Sequence, residues 1–408
     1  MVLIRRLALA GALGTAVAAN PVAAQQIDRT APILDLPLPG TDPMGLPLGP
    51  FRLYPSGEAR VEYDSNIYAE PDNEVDDALV VLTPRVEALL DSGDANLSLL
   101  GELRLRRFFD RTAEDSDAAF FRMQGNYKSA PDTFAGHVSW RRAIEDRGDP
   151  EARDTRSTGP RRINILNSEA SWTHDTGSVY VGLTGDATQV DYLASRDRDR
   201  DLSIYSAQAA AGYYLTGTVR AVVNGFYNRR DFRLATDFTG INRDADTFGV
   251  RAGVSLADTG FVRGEATVGV FRSNPDDPSL PSRTGLSAEA SISYLPTRRI
   301  AFTLDGFRGD VATVRSGAQA RTDTRFRLGV QAEARSDLRF QASVLYRRSK
   351  FIGTGIAERT LGVTGEVEYR LNRSLSLATT VTYANRHSDD PSQPFERTRA
   401  AVELRTQF

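Results

Sequence analysis

The sequence lacks several features on which other protein classes depend. It contains no cysteine and only three histidines among 408 residues. Without cysteine there is neither a disulfide framework nor a thiolate metal site. Beyond the amino-terminal segment no window approaches 18 apolar residues, which excludes a helical membrane protein. Basic and acidic residues nearly balance, 50 against 53, so charge gives no reason to expect nucleic acid as a partner.

The amino terminus has the organisation of an export signal. Arg5 and Arg6 precede a short apolar run, and small residues end it at Ala24. This order predicts a secretory signal peptide over residues 1–24, cleaved after Ala24. Residues 25–50 contain six prolines and little periodicity, which predicts an extended Pro-rich periplasmic leader rather than a domain.

From residue 51 to residue 408 the chain alternates between apolar and polar side chains. In the last stretch Ala400, Val402 and Leu404 fall on one parity, and Glu403 and Arg405 fall on the other. Successive side chains of a strand point to opposite faces, so each such stretch predicts a ribbon with one apolar and one charged face. Eighteen stretches of this kind predict an all-β, transmembrane antiparallel up-and-down β-barrel of about 18 strands, with 16 as the alternative count.

The connections between these stretches sort by length. Eight are short and use Gly, Asn, Asp and Pro, as in Ser92-Gly93 and Thr216-Gly217, whereas nine are longer and polar. Short and long connections alternate, and the longest of them covers residues 143–161. A soluble sandwich has no reason to sort its loops in this way. The pattern predicts a barrel in the cell outer membrane, with short periplasmic turns, long outer loops and both termini in the periplasm.

The chain given ends on an aromatic residue, Phe408. In an outer-membrane barrel this residue is expected in the aromatic girdle and as the signal read by the barrel-assembly machinery. The other expected partners are outer-membrane lipid and lipopolysaccharide, with periplasmic export components as a further option.

Charged residues are dense on the parity that we assign to the lumen. Isolated charges facing lipid at the midplane cost about 2–4 kcal/mol each, so these side chains must face water or each other. They form either a ladder of Arg–carboxylate pairs that sets wall electrostatics, or a selectivity filter for an anionic solute. The lumen-lining candidates are Arg60, Glu62, Arg104, Arg106, Arg122, Arg325, Arg327, Glu366, Glu368 and Arg370.

One region resembles a known family. Residues 48–55 read Leu-Gly-Pro-Phe-Arg-Leu-Tyr-Pro, residues 63–68 read Tyr-Asp-Ser-Asn-Ile-Tyr, and Asp76-Asp77 and Thr83-Pro84 follow. With the signal peptide and the terminal Phe408, this resembles the family called putative β-barrel porin 2. The resemblance implies an outer-membrane barrel with no transferable catalytic residue. It also raises surface-polysaccharide traffic as a family-level expectation.

Catalytic and metal chemistry have little basis in the sequence. His137 and Ser139 share a strand face, as in outer-membrane phospholipases, but that face also carries Arg141 and is assigned to the lumen. The acidic stretches interleave with arginine, which argues against a calcium site. We expect no enzyme, cofactor or metal. The prediction is a passive porin-like channel for small hydrophilic solutes; the alternatives are an accessory barrel in surface-polysaccharide export and, remotely, a barrel hydrolase.

Overall fold

A computed structural model describes residues 43–152, 159–256, 261–315 and 317–408. The predicted signal peptide, most of the Pro-rich leader, part of the longest loop and the predicted turn at residues 257–260 lie outside these ranges. No helix in the described ranges is long and apolar enough to span a membrane.

The described residues form β-strands, with two short 3₁₀ helices at Thr112–Glu114 and Ser195–Arg200. A short strand, β1 (Leu46–Leu48), precedes eighteen longer ones. The first nine of these are β2 (Phe51–Asp64), β3 (Asp77–Asp91), β4 (Ala95–Phe108), β5 (Ser116–Ser129), β6 (Asp132–Ile144), β7 (Arg162–Asp175), β8 (Val179–Tyr192), β9 (Leu202–Tyr214) and β10 (Val219–Phe232). The second nine are β11 (Ala245–Leu256), β12 (Val262–Pro275), β13 (Arg283–Thr297), β14 (Ile300–Val311), β15 (Ala320–Arg335), β16 (Leu338–Ile352), β17 (Ala357–Arg370), β18 (Leu375–Ser388) and β19 (Phe395–Gln407).

The eighteen long strands form one closed barrel. Each strand from β2 to β18 pairs antiparallel with the next one, and β19 pairs with β2, where Val402 lies opposite Val61. Strand β1 pairs with β2 through the turn at Gly49-Pro50. The predicted antiparallel up-and-down barrel of 18 strands is confirmed.

Several strand ends differ from the predicted ones by two to four residues. The alternation predicts the first long strand over residues 54–68, but β2 ends at Asp64, because Asn66 leaves the ladder. Its backbone N–H donates to Asp64 Oδ1 at 3.1 Å, and its side-chain amide donates to the carbonyl oxygens of Glu70 and Glu396. The connection predicted at 350–357 shrinks to 353–356, because β16 and β17 extend to Ile352 and from Ala357.

The two barrel faces follow the parity of each strand. On β15 the side chains of Phe326 and Leu328 are 50% and 58% exposed, whereas Asp323 and Glu333 on the other parity are buried. The same contrast separates Val402 from Glu403 on β19. The apolar parity thus forms the outer surface, and the polar parity faces the lumen. We call the two rims of the barrel the long-loop end and the short-turn end.

Candidate functional site: a loop folded into the barrel

The connection that follows β6 turns into the barrel instead of away from it. Its first eight residues, 145–152, are here called the inner segment, and Glu145, Asp149 and Glu151 in it are all buried. Local hydrogen bonds offset the cost of burying these polar groups. Asp146 Oδ1 accepts from the backbone N–H of Gly148 at 2.7 Å, and Asp149 Oδ1 accepts from that of Glu151 at 3.0 Å. Polar backbone groups satisfied in this way can leave water.

Glu151 binds the inner segment to the β14–β15 connection and to β15. Its carboxylate accepts from Thr313 Oγ1 at 3.0 Å, from the backbone N–H of Val314 at 2.9 Å and from Arg321 Nη1 at 2.5 Å. The side chains of Glu151 and Arg321 are each only 1% exposed. A buried carboxylate with three donors, one of them a guanidinium, is a strong and directional contact.

A second buried guanidinium binds the inner segment from the β8–β9 side. Arg200 is fully buried and pairs with Glu145, and its Nη2 also donates to the backbone oxygen of Glu151 at 2.8 Å. The guanidinium carbon lies 4.1 Å from the centre of the Tyr192 ring, a cation–π distance.

The remaining partners of the inner segment lie elsewhere around the ring. From β19, Arg397 pairs with Asp146 at 3.1 Å, and from β18, Arg386 donates to the backbone oxygen of Gly148 at 3.3 Å. Arg147 pairs at 2.7 Å with Glu114, in the connection between β4 and β5. Because its partners come from several sides of the barrel, the inner segment lies across the lumen at the long-loop end.

The β14–β15 connection also crosses the lumen. Val311, Ala312 and Val314 are buried in a cluster with apolar side chains of β7 to β10. The cluster members on that side are Ile163, Ile165, Val190, Tyr192, Leu202, Ile204 and Phe232. Burial of large apolar side chains contributes about 1.5–3 kcal/mol each, so this contact stabilises the inward position of the connection that also holds Glu151.

The pKa values of two carboxyl groups in the inner segment are shifted in opposite directions. Burial raises the pKa of Asp149 to about 6, although Arg347 and Arg321 act in the opposite direction. For Asp146 burial also acts upward, but Arg397 and Arg399 outweigh it and lower the pKa below its usual value. Asp146 is therefore held as a carboxylate, whereas Asp149 is the group of this segment that titrates near neutral pH.

The sequence-derived lumen candidates occupy the buried or half-buried parity of their strands, at separate places on the wall. Arg60 pairs with Glu62 at 2.5 Å on β2. Glu366 and Glu368 meet at Arg405, whose Nη1 lies 2.9 and 3.8 Å from their carboxylates. These groups match the ladder of pairs considered above.

The other candidates have different surroundings. Arg104 pairs with Glu102, with 3.5 Å between Nη2 and Oε1. Arg106 and Arg325 stand 5.4 and 5.9 Å from the ring centres of Phe108 and Phe307. Arg370 lies on the lumen parity, near the short-turn end of β17. In the described parts of the chain, Arg122 and Arg327 have no carboxylate within ion-pair distance. The described wall therefore carries arginines both with and without a carboxylate partner.

His137 has a hydrogen-bonding partner other than the nearby serine. Its Nε2 lies 2.6 Å from Asn167 Oδ1, and the amide of Asn167 donates to Thr188 Oγ1 at 2.9 Å. Within the described residues no group of three or more His, Asp or Glu side chains is arranged to hold a metal ion. The terminal Phe408 is 57% exposed, and its backbone N–H donates to the carbonyl of Pro55.

The inner segment was not among the residues selected from the sequence. The sequence predicts residues 143–161 only as a long polar outer loop and does not decide whether an outer loop folds inward, so Glu145, Asp149 and Glu151 have no predicted role. One signal was present: acidic residues recur at Glu145, Asp146, Asp149 and Glu151 around a single glycine, in the longest connection of the chain.

Solved structures share the barrel at very low sequence identity. OccK2 (OpdF) of Pseudomonas aeruginosa aligns with a TM-score of 0.48 and 11% identity, over 87% of this chain and 98% of that one. OmpT of Vibrio cholerae gives 0.40 and 12%, over 90% and 100%. The FrpB iron transporter of Neisseria meningitidis gives 0.44 and 9%, over 85% of this chain and 66% of that one.

Comparison at the level of sequence gives the family. No curated protein matches the chain. The family model described as Putative beta-barrel porin 2 matches residues 38–408, which include every strand of the barrel. The chain belongs to the putative β-barrel porin 2 family.

Proposed function

We propose that this protein is a passive, non-enzymatic channel for small hydrophilic solutes in the outer membrane, with the short turns on the periplasmic side. The observation that carries the proposal is the division of the wall into two faces. Exposed apolar side chains such as Leu328 and Val402 cover one face, and charged side chains such as Arg327 and Glu403 line the other. A charged inner wall favours water and polar solutes in the lumen. Membership of the porin family supports the same reading.

The inner segment sets the aperture of this channel. It crosses the lumen at the long-loop end and is held there by Arg200, Arg321 and Arg397. Solutes must pass beside it or wait for its displacement. The expected behaviour is therefore a small or gated pore rather than the wide opening that eighteen strands alone allow.

Swelling of proteoliposomes in neutral sugars of increasing size tests the proposal. Folded protein, verified by heat-modifiable migration on gels, should admit the small sugars and exclude the large ones. If folded protein admitted no solute of any size, the channel proposal would fail. An accessory role in polysaccharide export would then become the leading interpretation.

A further inference from the structure

In a sector of the lumen wall formed by β4, β5 and β6, arginines outnumber carboxylates. Arg104 on β4, Arg122 on β5 and Arg141 on β6 all lie on the lumen parity, between the middle of the wall and the long-loop end. The ladder places Phe120 of β5 beside both Glu102 and Arg141, and it places Arg122 beside Ser139. Arg141 lies close enough to Arg104 and Arg122 for their charges to repel. Glu102 pairs with Arg104, and Glu58 on β2 acts on Arg104 from a longer distance.

The carboxylates that act on Arg122 and Arg141 are Glu87 and Glu102, and both are already engaged. Glu102 is shared between Arg104 at 3.5 Å and Arg85 at 3.9 Å. Glu87, the carboxylate that acts on Arg122, accepts a hydrogen bond from Ser98 at 2.7 Å and lies 3.8 Å from Arg85. In the described chain neither Arg122 nor Arg141 has a carboxylate within ion-pair distance, and Arg122 Nε is buried without a hydrogen-bond partner.

This arrangement differs from other arginines of the same wall. Arg405 is surrounded by Glu366, Glu368 and Glu403, and Arg251 pairs with Glu289 at 2.8 Å. Like charges on neighbouring strands destabilise a sheet, and partly buried cations need a counter-charge. A cluster that its own wall does not neutralise is therefore suited to an anion from outside the chain.

The neighbouring side chains supply neutral hydrogen-bonding groups. Ser139 lies directly across the ladder from Arg122, and Gln124 follows Arg122 on the same face of β5. The ring of Phe120 stacks under Arg141, with 5.0 Å between the guanidinium carbon and the ring centre. This contact orients the guanidinium while its N–H groups remain open to the lumen.

We propose that Arg104, Arg122 and Arg141 form an oxyanion-binding site that takes the carboxylate or phosphate group of a small solute. The proposal rests on the channel function above and adds the class of solute. Guanidinium groups bind both oxyanions through paired N–H donors, and such charge-assisted hydrogen bonds are stronger than neutral ones. Anionic solutes are thereby concentrated at this sector of the wall, whereas neutral ones pass without retention.

Equilibrium binding tests this site without requiring any conductance. Inorganic phosphate is titrated into folded protein in a phosphate-free detergent, and ³¹P line broadening reports the bound fraction. The double variant Arg122→Gln with Arg141→Gln should bind phosphate at least tenfold more weakly than the wild type. The matched control, Arg60→Gln with Arg251→Gln, removes the same charge from arginines that have carboxylate partners, and it should change affinity less than threefold.

Competition by acetate identifies the chemistry of the solute. Displacement of phosphate by acetate at similar concentration indicates a general oxyanion site, and failure of acetate to compete restricts the site to phosphate groups. Equal losses in the two double variants would overturn the proposal, because only the overall field of the lumen would then matter. Unchanged binding in the Arg122/Arg141 variant would also overturn it. Failure of the channel function alone would appear instead as binding without sugar flux.

Discussion

Removal of the Glu151 carboxylate should release the inner segment from the wall. Glu151→Ala deletes the acceptor of three donors, and it leaves Arg321 buried with one fewer counter-charge. Breaking a buried ion pair by removing one partner costs about 3–5 kcal/mol. Arg321 retains a contact of 2.9 Å from its Nε to Asp323. We therefore take the lower end, about 3 kcal/mol, which corresponds to a rise on the order of 100-fold in the undocked population.

Thiol labelling measures this population directly. The chain has no cysteine, so Ala312→Cys introduces a single thiol in the β14–β15 connection, at a position that is 5% exposed and precedes Thr313, a donor to Glu151. When docking is faster than labelling, the rate of reaction with a membrane-impermeant maleimide is proportional to the undocked fraction. Adding Glu151→Ala to this background should accelerate labelling on the order of 100-fold by the estimate above. Glu151→Gln keeps an acceptor for Thr313 and Val314, so its labelling rate should lie between that of the Ala312→Cys parent and that of the Glu151→Ala variant.

A carboxylate elsewhere on the wall provides the control. Glu289→Ala breaks the ion pair with Arg251, which does not contact the inner segment, and should leave the labelling rate near that of the parent. If Glu151→Ala labelled no faster than Glu289→Ala, the carboxylate of Glu151 would not hold the segment, and the reasoning from its contacts would be refuted.

Three further predictions concern pH, the lipid face and assembly. Because burial raises the docked pKa of Asp149 to about 6, its contribution to docking is fully present at low pH and is lost as pH rises from about 4 to about 6. The thiolate is the reacting form, so each labelling rate is divided by that of a free thiol peptide at the same pH. The normalised rate for Ala312→Cys should be slower at pH 5 than at pH 7.5, and Asp149→Asn should abolish that difference; persistence of the slope would exclude Asp149 as its cause. Leu328→Arg should lower the free energy of unfolding by about 2–4 kcal/mol, measured by urea titration in lipid vesicles. An unchanged urea midpoint would argue against a lipid-facing position for Leu328. Deletion of Phe408 should reduce the heat-modifiable, membrane-inserted fraction in cells, and normal insertion would contradict its role as an assembly signal.

The barrel itself was predictable because its physical constraints are local. Alternation on β19 and tight turns such as Ser92-Gly93 depend on a few neighbouring residues, and both survive unchanged in the structure. The charge pattern also predicted the two faces of β15 correctly. Arg325 and Arg327 lie on one face, and the exposed Phe326 and Leu328 lie on the other. Strand ends were less certain, since the side-chain bonds of Asn66 that end β2 reach as far as Glu396.

The inner segment was not predictable, because its contacts join positions far apart in the chain. Glu151 is 170 residues from Arg321, and Arg397 is 251 residues from Asp146. Some apolar side chains of the strands also face the lumen instead of lipid. Ile163 and Ile165 lie on the lumen parity of β7, where they pack against Val314 and its neighbours. No local sequence pattern indicates that a connection distant in the chain will cover these residues.

Planar-bilayer conductance of two proteins tests the central claim most directly. One is the wild type, and the other has residues 145–151 replaced by Gly and Ser at equal length. Removal of the side chains that reach Arg200, Arg321 and Arg397 should convert a small or gated conductance into a larger, continuously open one. Equal conductance in the two folded proteins would contradict an aperture set by the inner segment, and the absence of conductance in both would contradict the channel itself.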